Sequence, residues 1–240
     1  VHHFLLWIKF VMVFNHPIDR KRGIHLIRPV LKAYFRHPRV VGLSIFFVIL
    51  LVIDGMSGLL SQYAGFIILP FVIAPFYEWF MHKYVLHAKL STRYPWLRSF
   101  QIRLHHEHHR LPHKIEHQFA PPVAVLIHLV LTYVLFALLT WSFVIAWVPF
   151  TFGVLYYLFY EWMHLAHHTP SYRAKTPIGR RLQQSHMRHH FHNERYCWGI
   201  TNYLGDICFD TLKEIKTVSK SATTRTIAGY QPTSTNKASQ

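Results

Sequence analysis

The 240-residue chain is 51% hydrophobic and only 15% charged, where soluble domains carry roughly 25% charged residues. With apolar runs too long for core helices and only two cysteines, this excludes a soluble globular enzyme, a disordered chain and a disulfide-stapled fold. The remaining charge is lopsided, 26 Lys and Arg against 10 Asp and Glu, and the 21 histidines exceed anything packing calls for.

In chain order, residues 1–14 (VHHFLLWIKFVMVF) are apolar but carry His2, His3 and Lys9 and lack a small-residue cleavage site. They read as an interfacial helix, not a signal peptide. Residues 40–60 hold a single charge, and at ~1.5 Å per residue such a helix is about 31 Å long, enough to cross a ~30 Å hydrocarbon core. Residues 64–81 make a second span, with Pro70 and Pro75 inside it, tolerable where neighbouring helices re-satisfy the freed carbonyls. Residues 123–143 and 147–163 make a second pair. The links near 55–63 and 144–147 are short enough only for hairpin turns. The expected fold is all-α: an integral membrane protein with four transmembrane helices in two hairpins. An interfacial or cytoplasmic segment (1–39) precedes a membrane domain (40–215), and a polar, mobile tail (216–240) follows. Cys197 and Cys208 show no metal-type spacing and read as free thiols.

The positive charges fall at Lys9, then seven in 15–39, seven in 83–120 and eleven in 169–237, and none lies in either hairpin turn. Two hairpins dipping in from one face give this distribution, and the positive-inside rule makes that face cytoplasmic. Both termini are then expected in the cytoplasm, at a bacterial inner membrane or the endoplasmic reticulum. Basic residues that flank spans suit anionic headgroups, so no nucleic-acid partner is expected.

The histidines share that face. The second span ends in FYEWFMHKYVLH (76–87) and is followed by His105-x-x-His108-His109; the fourth ends in FYEWMHLAHH (159–168) and is followed by His186-x-x-His189-His190. Four histidines recur at one offset of 81 (87/168, 105/186, 108/189, 109/190), and FYEW recurs at 83. The pattern is a pseudo-repeat: a hairpin, histidines at its end, then a histidine cluster on a cap helix. In H-x-x-H-H the first residue shares a helix face with the other two, as His164 does with His168. His82 and His87, five apart, lie about 140° from each other on an α-helix. They can face one ion only if the helix ends between them; otherwise they serve two.

Ten imidazoles from four segments are too many for one metal and suit two, since neutral imidazole is a common ligand. Structural zinc sites usually close with four ligands, often including Cys. A carboxylate di-iron site needs about four Glu, whereas only Glu78 and Glu161 lie among the spans. They read as acceptors that orient histidines, or as simple hydrogen-bonding groups within the bundle. A histidine-rich di-iron centre is the remaining candidate. His16, His25, His37 and His128 stand alone and read as structural or interfacial. His106, His113, His117, His167 and His192 are surplus to the pattern.

The boxes H-x4-H, H-x2-HH, H-x3-H and H-x2-HH resemble the membrane fatty acid hydroxylase/sterol desaturase superfamily, and most of all its fatty acid 2-hydroxylase branch. The likeness covers roughly 40–212 and includes HHEHHRLPHKIEHQFAPP (105–122) and WGITNYLGDICFDT (198–211). It implies a hydroxylase-like membrane domain whose histidine-rich helical cap holds a dimetal site. That site would contain two iron ions, replaceable by zinc in a purified protein, and would use O2 as co-substrate to hydroxylate the acyl part of a membrane lipid or a fatty acid. Carried over position by position, its ligands are His82, His87, His105, His108, His109, His164, His168, His186, His189 and His190. His168 is preferred to His167 because it keeps the 18-residue register to His186. Asp210 stands where the family usually has Gly. No cytochrome b5 domain precedes the spans, so electrons are expected from a separate donor such as cytochrome b5 or ferredoxin.

Two alternatives use the same histidines. One is a desaturase or another sterol- or carotenoid-type lipid oxidase; H-x4-H leans away from sterol oxidases, and the second H-x2-HH away from carotenoid hydroxylases. The other is a non-catalytic metal-binding or metal-transport protein, but transporters bind near the midplane, whereas these histidines lie at span ends.

Overall fold

The computed structural model describes residues 22–227, with side chains from residue 27 onward. The expected helix at 1–14, His16, the His25 side chain and the end of the chain lie outside the described residues. All regular elements among the described residues are helices. Helix α1 (Arg22–Arg36) leads through His37 into α2 (Pro38–Met56), opened by a proline that needs no N–H partner. Gly58, at φ +75°, turns the chain. A short helical stretch then reaches α3 (Leu69–Phe80), which runs on without a break as a π-helical turn, Met81–Leu86. Helix α4 (Pro95–Gln101) also passes into a π turn, Ile102–His106, and then into one α turn, Glu107–Arg110. After the single turn α5 (Ile115–Gln118) come α6 (Pro122–Thr140) and α7 (Trp147–His168). Helix α8 (Pro177–Phe191), capped by the Thr176 hydroxyl accepting from Gly179 N, and the short α9 (Leu204–Cys208) complete the fold.

Three segments among the described residues are long and apolar enough to cross a membrane: Pro38–Met56, Ala64–Leu86 and Ile115–Thr140. Their outer faces expose Ile45, Val48, Val52, Leu126 and Val130, as helices bounded by lipid do. Helix α7 is different. Its 22 residues, about 33 Å, are long enough, but its tyrosines, Glu161 and histidines make it more polar, and twelve of its residues are buried. It is the central post, packed on α2, α3 and α6. Tyr34 of α1 donates to Leu158 O at 2.6 Å, and Trp162 meets the Tyr34 ring edge-on. The one acid of the first span, Asp54, is buried and accepts from Thr151 Oγ1 at 2.7 Å. Both cysteines are free, Cys197 buried and Cys208 exposed.

Candidate metal centre

The histidines converge where the end of α3, the two π turns, the end of α7 and α8 meet. They form two groups. His82, His87, His105, His109 and His189 make one, and His108, His164, His168, His186 and His190 the other; within each, one ligand-capable atom per residue lies within 4.8 Å of all the others. All ten positions carried over from the sequence therefore come together, five and five. The partition crosses the repeat: His108 joins the histidines of the second half, and His189 joins those of the first.

The winding of α3 resolves the five-residue spacing. The helix does not end between His82 and His87, and the two do not serve different groups. In the π turn, His87 N bonds to His82 O at 3.1 Å, which aligns residues five apart as an α turn aligns residues four apart. His164 and His168 achieve the same in ordinary α-helix.

Backbone carbonyls orient the rings. Nδ1 of His82 donates to Trp198 O (2.6 Å), His109 to Thr224 O (3.0 Å), His164 to Gln118 O (3.1 Å) and His189 to Tyr196 O (2.8 Å). Each such bond fixes the tautomer and leaves a lone pair on Nε2. His109 and His189 then face each other Nε2 to Nε2 at 3.2 Å with no proton between them. His87 Nε2 is 3.1 Å from both. In the second group, His168 Nε2 lies 2.7 Å from His186 Nε2 and 3.1 Å from His108 Nε2. Buried His190 has no hydrogen-bond partner on either nitrogen among the described residues. Burial, reinforced by neighbouring imidazoles, holds His105, His108, His186 and His190 well below the ordinary imidazole range, and brings His109 down to about 3. Neutral rings with converging lone pairs repel one another unless a cation sits among them. The donor set therefore fits metal ions.

Neither glutamate hydrogen-bonds a histidine among the described residues. Glu78 accepts from Ile200 N, Thr201 N (3.0 Å) and Thr201 Oγ1 (2.5 Å); it grips the segment whose Trp198 carbonyl holds His82, one bond further out than expected. Glu161 accepts from Tyr157 OH at 2.6 Å, simple hydrogen bonding within the bundle. Asp206, fully buried, clamps the same C-terminal segment through Trp198 N, Gly199 N and Thr211 Oγ1. Trp79 Nε1 also donates to Thr211 Oγ1, at 2.9 Å. A Cβ on Gly199 would come within 2.0 Å of Asn202 O, and one on Gly205 within 2.5 Å of Trp79 Cβ. Asp210 adopts φ +52°, a left-handed position where Gly is the least strained residue and Asp is tolerated. Carbonyl anchors carry no residue-type signal. For Trp198 and Tyr196 the only hint was the W-G-I-T segment, and for Thr224 there was none.

The surplus histidines lie around the two groups, in neither of them. His113 donates to His168 O and His192 to Val218 O. His106 packs on the backbone of Leu86, Ala88 and Ile227, and His167 is buried beside His186. His117 and His128 line a cavity, and His37 stacks on Phe119.

That cavity, about 420 Å³, lies between α3, α6 and α7. His82, His105 and His164, from both groups, form part of its wall, and Ile73, Phe80, Leu131, Leu135 and Phe136 extend it along the apolar helices.

A helical bundle with bilayer-suited faces, two five-histidine groups and an apolar cavity against both defines a membrane-associated, histidine-rich metal-site protein. The chain belongs to the fatty acid hydroxylase family, whose model matches residues 67–211, and the relatives it is similar to are fatty acid 2-hydroxylases. It is 26% identical to rat fatty acid 2-hydroxylase over 152 residues, 63% of this chain and 40% of that protein. It is 28% identical to a dihydroceramide fatty acyl 2-hydroxylase of Arabidopsis thaliana over 169 residues, 69% of this chain and 68% of the relative. The chain thus spans well under half the length of its mammalian relatives. The fold matches the structure of full-length Scs7p, in which only the hydroxylase domain is visible, with a TM-score of 0.63 at 21% identity over 81% of this chain and 72% of that one.

Proposed function

We propose that this protein is an O2-dependent lipid hydroxylase that inserts oxygen into a C–H bond near the headgroup end of an acyl chain, with the ten histidines as ligands to two iron ions. One observation carries the reading: both histidine groups border a single apolar cavity. When bound, the two irons with O2 and two electrons from a separate donor, such as cytochrome b5 or ferredoxin, supply an oxidant strong enough for an unactivated C–H bond. The protein supplies position and dryness. His82 and His105 from one group and His164 from the other present their rings to the cavity, so an alkyl segment lying there passes both. Leu and Phe side chains hold its methylenes and exclude water. The Trp198, Gln118, Tyr196 and Thr224 carbonyls keep four imidazoles aimed inward.

Residues 40–215 are read as the catalytic membrane domain, with four crossings. The cap and both termini are read as cytoplasmic because none of the 26 Lys and Arg lies in either hairpin turn. Expression in a lipid-rich host under 18O2 tests the chemistry. Lipids heavier by one labelled oxygen, absent with His189→Ala, are expected; products lighter by two hydrogens and unlabelled would replace this reading with a desaturase.

A further inference from the structure

The cavity is not apolar throughout. His128, one of the isolated histidines of the sequence, lines it together with Tyr77 and Tyr157. Tyr77 Oη lies 3.2 Å from His128 Nδ1, and the His128 ring packs at 4.7 Å on Tyr157. The other ring nitrogen, Nε2, has no hydrogen bond among the described residues. The cavity wall beside it is apolar at Ile127 and Leu131 on α6 and at Ile73 and Ala74 on α3, and polar at Thr132, one turn along α6, whose buried hydroxyl has no hydrogen-bond partner among the described residues.

Three helices place this pair at one depth. Tyr77 precedes His82 by five residues, Tyr157 precedes His164 by seven, and His128 follows the start of α6 at Pro122 by six. At ~1.5 Å per residue the pair lies about 7–11 Å along the cavity from the histidine groups, on the side away from the cap. An unpaired hydrogen-bonding nitrogen at that depth is costly, and polar groups inside membrane helices mark ligand paths. Carbon–carbon bonds of ~1.5 Å zigzag to a rise of about 1.25 Å per carbon in an extended chain, so the interval corresponds to roughly six to nine carbons. Either His128 tautomer leaves one hydrogen-bond position open: a donor if Tyr77 donates to Nδ1, an acceptor if Nδ1 donates to Tyr77. A hydroxyl, which both donates and accepts, satisfies either.

Building on the hydroxylase reading, we infer that His128 and Tyr77 form a second recognition point for a hydroxyl carried by the substrate six to nine carbons beyond the carbon at the histidine groups. The preferred substrate is then an already oxygenated lipid, and an earlier hydroxylation or double-bond hydration must supply it.

The test uses the purified, metal-loaded protein in lipid nanodiscs, supplied with reduced cytochrome b5 or ferredoxin through its reductase as the electron donor, with octadecanoic acid, 10-hydroxyoctadecanoic acid and 3-hydroxyoctadecanoic acid as probes. Binding is read by displacement of a fluorescent fatty acid, and turnover by mass spectrometry under 18O2. The 10-hydroxy acid should bind about five- to tenfold more tightly than the other two, the effect of one hydrogen bond in a dry site. His128→Leu should abolish or invert that preference with metal content unchanged, and His128→Gln, which keeps a donor and an acceptor, should retain much of it. Equal binding of all three acids, or a preference that His128→Leu leaves intact, overturns the subsite and assigns Nε2 to a water alone. The two readings separate: labelled product from octadecanoic acid without 10-hydroxy preference leaves hydroxylation standing and removes the subsite. A His128-dependent binding preference with no labelled product does the reverse.

Discussion

The two histidine halves reach the same end by different winding. In the first, residues 82–109, both histidine boxes involve π turns, Met81–Leu86 and Ile102–His106. In the second, residues 164–190, the corresponding segments are plain α-helix, α7 and α8. A five-residue spacing in a π turn and a four-residue spacing in an α turn both place two imidazoles on one face. The spacing of ligands along a sequence is therefore meaningful only with the helix type that carries it. Each half also lends one histidine to the other's group, so the repeat is a pair of interlocked donors more than two independent sites.

The largest effect tests the interlock. His189→Ala should empty the group built mainly by the first half, and His108→Ala the group built mainly by the second. Metal analysis should fall from about two ions per chain towards one, and activity by at least a hundredfold, beyond the 10–100-fold typical of outer-shell changes. His16→Ala should keep both ions. The winding difference gives the second test. Deleting Tyr84 restores four-residue spacing and lets an α turn replace the π turn, so the first group should keep most of its metal. Deleting Ala166, which leaves three-residue spacing in α7 and shifts the register of everything before it, should lose the second ion altogether. Comparable loss in both deletions would refute the equivalence of the two windings.

The duplicated FYEW sequence offers a third contrast. Glu78→Gln disrupts the grip on Ile200 and Thr201 and should weaken metal retention about 10–100-fold in chelator titrations. Glu161→Gln, whose amide oxygen still accepts the single bond from Tyr157, should change it less than about threefold. Acidity gives a milder fourth effect, visible in metal-stripped protein. His109 titrates near 3 when folded against an ordinary value of 6.5. Below 6.5 the unfolded state therefore binds protons that the folded state refuses, and stability falls as pH drops from 6.5 towards 3. The melting temperature of the stripped protein should be lower at about pH 5 than at about pH 7.5. The smallest effect is Asp210→Gly, which relieves a φ of +52° but loses an exposed Lys213 pair; the two nearly offset, within about 1 kcal/mol.

Much of this was legible in the sequence. The 81-residue offset and the box spacings found all ten histidines that the fold gathers, and hydropathy found the helices that carry them. The winding was not legible, because MHKYVL has nothing in it that favours a π turn over an α turn; the turn exists because the imidazoles at both ends must meet their group. Glu78 and Glu161 looked equivalent because their neighbours are identical in sequence, whereas their partners, Ile200–Thr201 and Tyr157, come from different distances along the sequence. Trp162 and Trp79 diverge for the same reason, one against Tyr34 and the other against Gly205 and Thr211. The polar composition after residue 216 gave no sign that Ile227 is buried or that Thr224 O steadies His109. His128 looked incidental because a lone histidine carries no pattern; only the cavity gives it a context.

The exchange of His108 and His189 also bears on how the protein is made. Residues 82–109 emerge from the ribosome long before 189, and the carbonyl that orients His109 belongs to Thr224, later still. At that stage the first group has four of its imidazoles and lacks the fifth, His189, and neither group can close until nearly all the described residues have been synthesised. Metal captured earlier would occupy an incomplete, solvent-open set. Late closure thus acts as an ordering device: metal could be locked in only after the helices that wall the cavity are already present.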